Sequence, residues 1–311
     1  MRAVFMGTPD FSVGTLEAMI RAGHRVEAVF TQPDKPKGRG KSLQMTPVKE
    51  AALAHGIPVY QPRKIREEEN VKILKEIDPD VIVVVAFGQI IPQSVLDIPR
   101  YGCINVHASL LPKYRGAAPI QWAVIDGEEK SGVTIMQMDA GLDTGDMLLK
   151  GELTLDEEET GGSLFDRLSS LGAGLLVEAL EKLEQGTLTP EKQPEESPTP
   201  YAAQISKAQG EIDWGKSAKE IERLIRGLDP WPSAYTHLNG KTLKIWKARA
   251  GEREETGGQA GEILERDKNS LTVQTGQGVL VLLEVQLEGK KRMDTGAFLR
   301  GFPVETGTVL K

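Results

Sequence analysis

The sequence predicts an α/β protein: a doubly wound, mostly parallel sheet followed by a small OB-like β-barrel. Three observations predict this. Apolar runs of strand length alternate with longer segments of helical periodicity through the first half of the 311 residues. One of those runs, Val81-Ile-Val-Val-Val-Ala-Phe87, is continuously apolar, as strands covered on both faces are. After the proline-rich stretch Pro190-Glu-Lys-Gln-Pro-Glu-Glu-Ser-Pro-Thr-Pro200 the alternation gives way to short strands separated by turn residues.

Residues 2–6 read as a strand, 11–22 as a helix, 26–31 as a second strand, 47–55 as a helix and 58–60 as a short strand. A helical stretch over 67–77 precedes the buried run, strands follow at 104–106 and 133–138, and a helix at 119–125 lies between them. The long helix 162–183 leads into the prolines, which read as a stiff, exposed linker. Beyond it a helix over 217–227 precedes strands at 242–248, 261–264, 270–274 and 278–285, a spacing that suggests a small barrel. The expected division is therefore 1–189, a linker over 190–205, and 206–311.

Composition narrows the function classes. No run of about 18 apolar residues exists, and the start Met-Arg-Ala-Val-Phe-Met-Gly reads as a strand rather than a signal peptide, so the expected location is the cytoplasm. The only cysteine, Cys103, lies in an apolar run, and four scattered histidines offer no ligand spacing, so neither a disulfide framework nor a metal site is expected. Net charge is −7, yet 206–311 holds 17 Lys+Arg against 15 Asp+Glu while 1–205 holds 21 against 30. That asymmetry suits a nucleic-acid partner and two ordinary solvated surfaces equally.

Chemistry concentrates at Cys103-Ile-Asn-Val-His-Ala-Ser-Leu-Leu-Pro-Lys-Tyr-Arg-Gly116. Side chains at i and i+2 of a strand share a face, so Asn105 and His107 stand side by side. Ligands of open α/β sheets bind beyond the carboxyl ends of the strands, where this pair should lie. A second polar cluster, Met138-Asp-Ala-Gly-Leu-Asp-Thr-Gly-Asp146, follows another strand. Its aspartates are ordinary turn formers unless both strands end at one sheet edge, in which case one carboxylate reaches His107 and favours its imidazolium form. An imidazolium beside a carboxamide makes two donors directed at one oxygen, as acyl transfer through an oxyanion requires. No serine or cysteine occupies a nucleophile elbow, so direct attack by an amine is the expected route. The first strand is followed by Gly7-Thr-Pro-Asp-Phe11, which lacks the glycine pattern of a dinucleotide site; Asp10 reads either as part of a strand-to-helix turn or as a ligand contact.

At these residues the sequence resembles the folate-dependent formyltransferases, on Asn105-Val-His107, Ser109-Leu-Leu-Pro112 and Gly141-Leu-Asp143-Thr-Gly. Met6-Gly-Thr-Pro-Asp-Phe11, Gln32-Pro-Asp-Lys-Pro-Lys-Gly-Arg-Gly-Lys41, Arg115-Gly-Ala-Ala-Pro-Ile-Gln121, Gly132-Val-Thr-Ile-Met-Gln-Met-Asp139, Ile212-Asp-Trp214 and Pro230-Trp-Pro232 resemble the branch that acts on charged initiator tRNA. The resemblance spans essentially the whole chain. It implies a Rossmann-like formyltransferase fold and a catalytic trio of Asn105, His107 and Asp143. It also implies 10-formyltetrahydrofolate as formyl donor, no metal, and the α-amine of methionyl initiator tRNA as acceptor for a monomeric enzyme. Ser109, Leu110, Leu111 and Pro112 would line the folate site with Phe87, Gly88 and Ile90.

The basic segment 34–41, with Lys35, Lys37, Arg39 and Lys41, reads on its own as a solvated loop; under the resemblance it would engage tRNA phosphates, Arg39 foremost. Lys244, Lys247, Lys290, Lys291 and Arg292, with Lys241 and Arg249, would form a positive track on the barrel, though each alone reads as a solubilising charge. Trp214 and Trp231 read as packing residues. Two rivals remain: a formyltransferase with a small amine or amino-sugar nucleotide as acceptor, and a non-catalytic tRNA-binding protein.

Overall fold

The computed structural model describes residues 1–37, 42–252 and 257–311. They form two compact units. The first comprises Met1–Pro119, Lys130–Thr154 and Phe165–Ala202. In chain order it contains β1 (Arg2–Gly7), α1 (Asp10–Arg21), β2 (Arg25–Phe30), β3 (Lys35–Lys37), β4 (Ser42–Gln44), α2 (Pro47–Ala54), β5 (Val59–Tyr60) and α3 (Glu68–Ile77). These are followed by β6 (Val81–Val85), α4 (Gln93–Leu96), β7 (Cys103–His107), β8 (Lys130–Gln137) and β9 (Met147–Thr154). Between β7 and β8 lies α5 (Pro119–Ile125), all but its first residue in the second unit, and α6 (Gly161–Glu184) begins in the second unit and continues in the first.

The main sheet has the order β5-β2-β1-β6-β7-β8-β9. Its strands are parallel from β5 to β7, and β8 and β9 add two antiparallel strands. Every residue of β6 is buried, as its unbroken apolar run requires. Reading the sequence missed β9: as an edge strand it buries Met147 and Leu148 and then alternates with exposed residues, including Lys150 and Glu152.

Strand alternation sets the two faces of β7. Cys103 belongs to the core formed with Val4, Met6, Phe30, Ile82, Val84 and the helical residues Leu74 and Val95. Val106 points the other way, onto α6, where a Cβ at Gly172 would lie 2.8 Å from Val106 Cγ1. On that α6 side Phe11 of α1 meets Phe165 edge-on at 5.3 Å, and Ser169 Oγ donates to the Phe11 carbonyl at 3.0 Å. Asn105 and His107 therefore share the face of Cys103 and emerge where the strand ends.

The second unit comprises Ile120–Glu129, Leu155–Leu164 and Ala203–Lys311. Its helix α7 (Ala218–Gly227) starts at a capping box, with Ser217 Oγ accepting from the Glu220 amide. Then come β10 (Ala234–Leu238), β11 (Lys241–Ala250), β12 (Ile263–Arg266), β13 (Leu271–Gln274), β14 (Val279–Leu287), β15 (Met293–Asp294) and α8 (Thr295–Gly301). The antiparallel order is β10-β11-β14-β13-β12, with β15 on β14. The C-terminal residues close it. Leu310 N donates to Gly261 O and Ile263 N to Thr308 O beside β12, while His237 N of β10 donates to Lys311 O, each at 2.8 Å. A sheet that joins its own edges in this way has few unpaired edge groups. Trp214 is buried in this unit's core, as expected, whereas Trp231 is 54% exposed, so the packing role read for it does not hold. Among the described residues no helix is long and apolar enough to cross a membrane, and no cluster of potential metal ligands occurs.

Burial pushes the Cys103 thiol up to about 12, so almost no thiolate exists at neutral pH. Native protein treated with an excess of a thiol-specific reagent at pH 7.5 should stay unlabelled, and urea-unfolded protein should take up one label. Fast stoichiometric labelling of native protein would contradict this packing.

Candidate active site

The site is built where β7 runs out of strand partners and the chain must satisfy its backbone by other means. Thr134 on β8 stands opposite His107. Its hydroxyl, fully buried, donates to Ser109 O at 2.7 Å and accepts from Leu111 N at 3.0 Å. Ser109 Oγ donates to Lys113 O at 2.6 Å. Together these bonds shape the Ser-Leu-Leu-Pro turn from within.

His107 is 6% exposed, and its Nε2 lies 3.0 Å from the carbonyl oxygen of Tyr114. A carbonyl can only accept, so Nε2 carries a proton and Nδ1 is the ring atom presented to the site. Nδ1 lies 3.8 Å from Asp143 Oδ1, close enough for ionic attraction and too far for a hydrogen bond. The other carboxylate oxygen, Oδ2, accepts from the Gly116 amide at 2.9 Å. Asp143 and Tyr114 both have φ of 56°, and Ala86, just past β6, has φ of 47°. Three residues with a Cβ in the left-handed region, each costing roughly 1–3 kcal/mol, cluster around one edge of the sheet.

Asn105 is half-buried between Val84 of β6 and Met136 of β8. Its carboxamide has no hydrogen-bond partner among the described residues. A half-buried amide thus lies beside a histidine that has one ring nitrogen committed to the backbone and the other turned toward Asp143.

The loop carrying Asp143 is fixed by its own polar groups. Asp139 Oδ1 accepts from Gly141 N at 3.0 Å and from Thr144 Oγ1 at 2.8 Å, so Asp139 forms the turn and Asp143 faces the histidine. A Cβ at Gly145 would collide with the carbonyl oxygen of Gln137, which accounts for the second glycine of Gly-Leu-Asp-Thr-Gly.

The residues expected to line a folate site divide into two groups. Phe87 and Leu111 are buried, Phe87 in the main core and Leu111 against Met136 and Met147, while the Phe87 carbonyl is held by Thr8 Oγ1 and Gln32 Nε2. Ser109 is buried too, its hydroxyl committed to the turn. Leu110 packs over Gly132 of β8, and Gly88 takes φ of 82°. Ile90 is 75% exposed, an apolar side chain available to a ligand just beyond the strand that pairs with β7.

For the basic residues, Arg39 and Lys41 lie outside the described residues. Lys35 is exposed on β3 and Lys37 ends that strand. The base of the hairpin is anchored by Asp34, which accepts from Lys49 Nζ and Gln61 Nε2, both at 2.6 Å. The Lys49 bond, then that from Gln61, holds the Asp34 carboxyl below its ordinary range. In the second unit Lys290 and Lys291 are exposed at the turn between β14 and β15. Lys247 pairs with Glu158 at 3.0 Å. Lys244 Nζ lies 5.5 Å from the Trp246 ring centre, and Arg292 stacks at 4.5 Å on the same ring while forming a bidentate pair with Glu284 at 2.6 and 2.8 Å. The exposed Lys247 pair is worth about 0–1 kcal/mol and exchanges readily. Arg292 is held by three groups, counting Asp229 at 3.7 Å, and is the least available of the set.

Residues not singled out from sequence complete the site. Thr134 looks like any polar residue inside an apolar strand. Arg115 is only 9% exposed; its Nε donates to Gln193 Oε1 at 3.0 Å, Nη1 to Glu195 O at 3.0 Å and Nη2 to Pro194 O at 2.7 Å. The proline-rich segment, although largely exposed, thus runs back along the site. Ser197 Oγ donates to Pro112 O at 2.8 Å, and Tyr114 N donates to Thr199 Oγ1 at 2.7 Å.

Residues 1–180 match the family Formyl transferase, and residues 204–303 match Formyl transferase, C-terminal domain. A methionyl-tRNA formyltransferase of Agathobacter rectalis is 63% identical over 308 residues, covering 99% of both chains. The chain belongs to the formyl transferase family. A second relative, the methionyl-tRNA formyltransferase of Lachnospira eligens, is 60% identical over 100% of this chain and 99% of its own. Among solved structures, an N-formyltransferase from Helicobacter canadensis in complex with folinic acid and dTDP-3-aminofucose superposes with a TM-score of 0.66 over 90% of this chain and 98% of that one. At 21% identity that likeness speaks for the fold alone.

The Thr134 bridge has a measurable weight. Thr134→Val keeps shape but orphans the buried Leu111 amide, so it should lower unfolding free energy by about 1–3 kcal/mol. Denaturant titration reads this, and a midpoint equal to the parent's would contradict the bridge.

Proposed function

We propose that this chain transfers the formyl group of 10-formyltetrahydrofolate to the α-amino group of methionine carried by initiator tRNA; its relatives' names, methionyl-tRNA formyltransferase, support the acceptor and the transferred group. The observation that carries the proposal is 63% identity across the full length of such a relative, joined to a site in which His107 Nδ1 lies 3.8 Å from Asp143 and Asn105 shares the strand face of His107. When bound, the folate supplies the formyl carbon. Ile90, Leu110 and the backbone around Gly88 and Pro112 would hold it, with Phe87, Ser109 and Leu111 shaping the pocket from behind. Asn105 and the protonated Nδ1 of His107 would donate to the formyl oxygen as it gains negative charge.

Asp143 Oδ1, the carboxylate oxygen not bonded to Gly116, is free to stabilise the imidazolium and to take the proton the amine gives up. An α-amine with a reference pKa of about 7.7–8.0 is partly neutral at working pH, so modest help suffices. The first unit would carry the chemistry. The second, with Lys244, Lys247, Lys290 and Lys291, would bind tRNA together with the basic segment 34–41, and the location would be cytoplasmic. A small amine or amino-sugar acceptor is disfavoured, because full-length relatives at 50–63% identity are methionyl-tRNA formyltransferases.

The test is an assay offering 10-formyltetrahydrofolate with charged initiator tRNA or with an amino-sugar nucleotide. Formylation of tRNA alone, weakening steeply with salt, is expected. His107→Ala should cut turnover by roughly 10²–10³-fold with tRNA affinity little changed. Full turnover in that variant, or transfer only to the small acceptor, would overturn the reading.

A further inference from the structure

We propose that Gln193 is a positioning residue for Asp143, so that the proline-rich segment is part of the catalytic apparatus rather than a spacer. This rests on the formyl-transfer reading above. Gln193 is half-buried and uses its amide fully. Its Nε2 donates to the carbonyl oxygens of Asp143 at 2.9 Å and Gly145 at 2.7 Å, and its Oε1 accepts from Arg115 Nε at 3.0 Å.

One side chain therefore joins the two loops that bear the reacting groups. Through Arg115 it reaches the turn after β7, whose Tyr114 carbonyl orients His107 and whose Gly116 amide holds Asp143 Oδ2. Through its own N–H groups it ties down the backbone of Asp143, where φ of 56° needs outside support. Arg115 in turn binds Glu195 O and Pro194 O, and Glu191 pairs with Met147 through two backbone bonds of 2.8 Å, so the segment is fixed on both sides of Gln193. Position 193 lies between the two family matches, which end at 180 and begin at 204.

The chemistry separates this role from mere support. Gln193→Glu keeps the acceptor for Arg115, now as an ion pair, but cannot donate and turns a negative charge toward two carbonyl oxygens. Gln193→Ala loses all three bonds. Glu196→Ala, an exposed carboxylate on the same segment, serves as control. Gln193→Glu should lower kcat roughly 10–100-fold, the range for a lost orienting partner. KM for tRNA should stay within about twofold and melting temperature near the parent's, because the Arg115 tie survives. Gln193→Ala should lose both turnover and melting temperature, and Glu196→Ala neither.

Amide hydrogen exchange of the segment 139–146 gives a reading independent of activity: Gln193→Glu should speed it markedly, with exchange of β1 and β6 unchanged. Parent-like kcat in Gln193→Glu would overturn the proposal, as would parent-like exchange at 139–146. If the parent itself formylates nothing, the proposed function fails, and the exchange data alone decide whether Gln193 holds the loop.

Discussion

The site depends on one hydrogen bond, from His107 Nε2 to the carbonyl of Tyr114, seven residues further along the chain. It commits one ring nitrogen to the protein and leaves the other facing Asp143. With the opposite tautomer the atom facing Asp143 would already be a donor in the neutral ring, and the imidazole could not change from bare to protonated at that position. The bond also forces the chain to turn back sharply within 108–116, which brings the Gly116 amide onto Asp143 Oδ2. Orientation of the imidazole and placement of the Asp143 carboxylate thus share one cause.

Such a turn is costly, and its upkeep explains residues far from the reacting atoms. Tyr114, Asp143 and Ala86 sit in left-handed backbone, at roughly 1–3 kcal/mol each. Individual neutral hydrogen bonds contribute about 0.5–1.5 kcal/mol, so no single one holds the geometry. Several act together: Thr134 on Ser109 and Leu111, Ser197 on Pro112, Thr199 on Tyr114, Gln193 on Asp143 and Gly145. Gly116 belongs to the same arrangement, since at φ of 133° a Cβ would stand 2.6 Å from Ala202 O. The buried Arg115 fastens the proline-rich segment to this turn, so a stretch rich in prolines supports the loop carrying Asp143 while remaining largely exposed.

The proposed trio of Asn105, His107 and Asp143 was legible in sequence as a spatial group because it obeys period-two geometry. Asn105 and His107 share a face by strand alternation, and both loops follow strands that pair side by side, β7 with β8. Buried strands such as 81–85 were legible through unbroken hydrophobicity. What escaped was structure made by distant hydrogen bonds. Gln193 lies 50 residues from Asp143, and nothing local distinguishes it from any polar residue in a linker. The closing of the barrel by residues 307–311 and the edge strands β9 and β10 also escaped, because short, half-exposed segments carry weak patterns. The burial of Phe87, Ser109 and Leu111 was not legible either, since sequence shows that a turn is apolar but not which side chains turn inward.

The central claim is which nitrogen of His107 faces the site, and nitrogen-15 NMR of imidazole-labelled protein reads it directly, with a His107 substitution assigning its signals among the four histidines. The account predicts that neutral His107 carries its proton on Nε2, with Nδ1 showing the shift of an unprotonated nitrogen. A neutral ring protonated at Nδ1 would mean that the Tyr114 carbonyl does not hold Nε2, and the proposed orientation of the catalytic groups would fall with it.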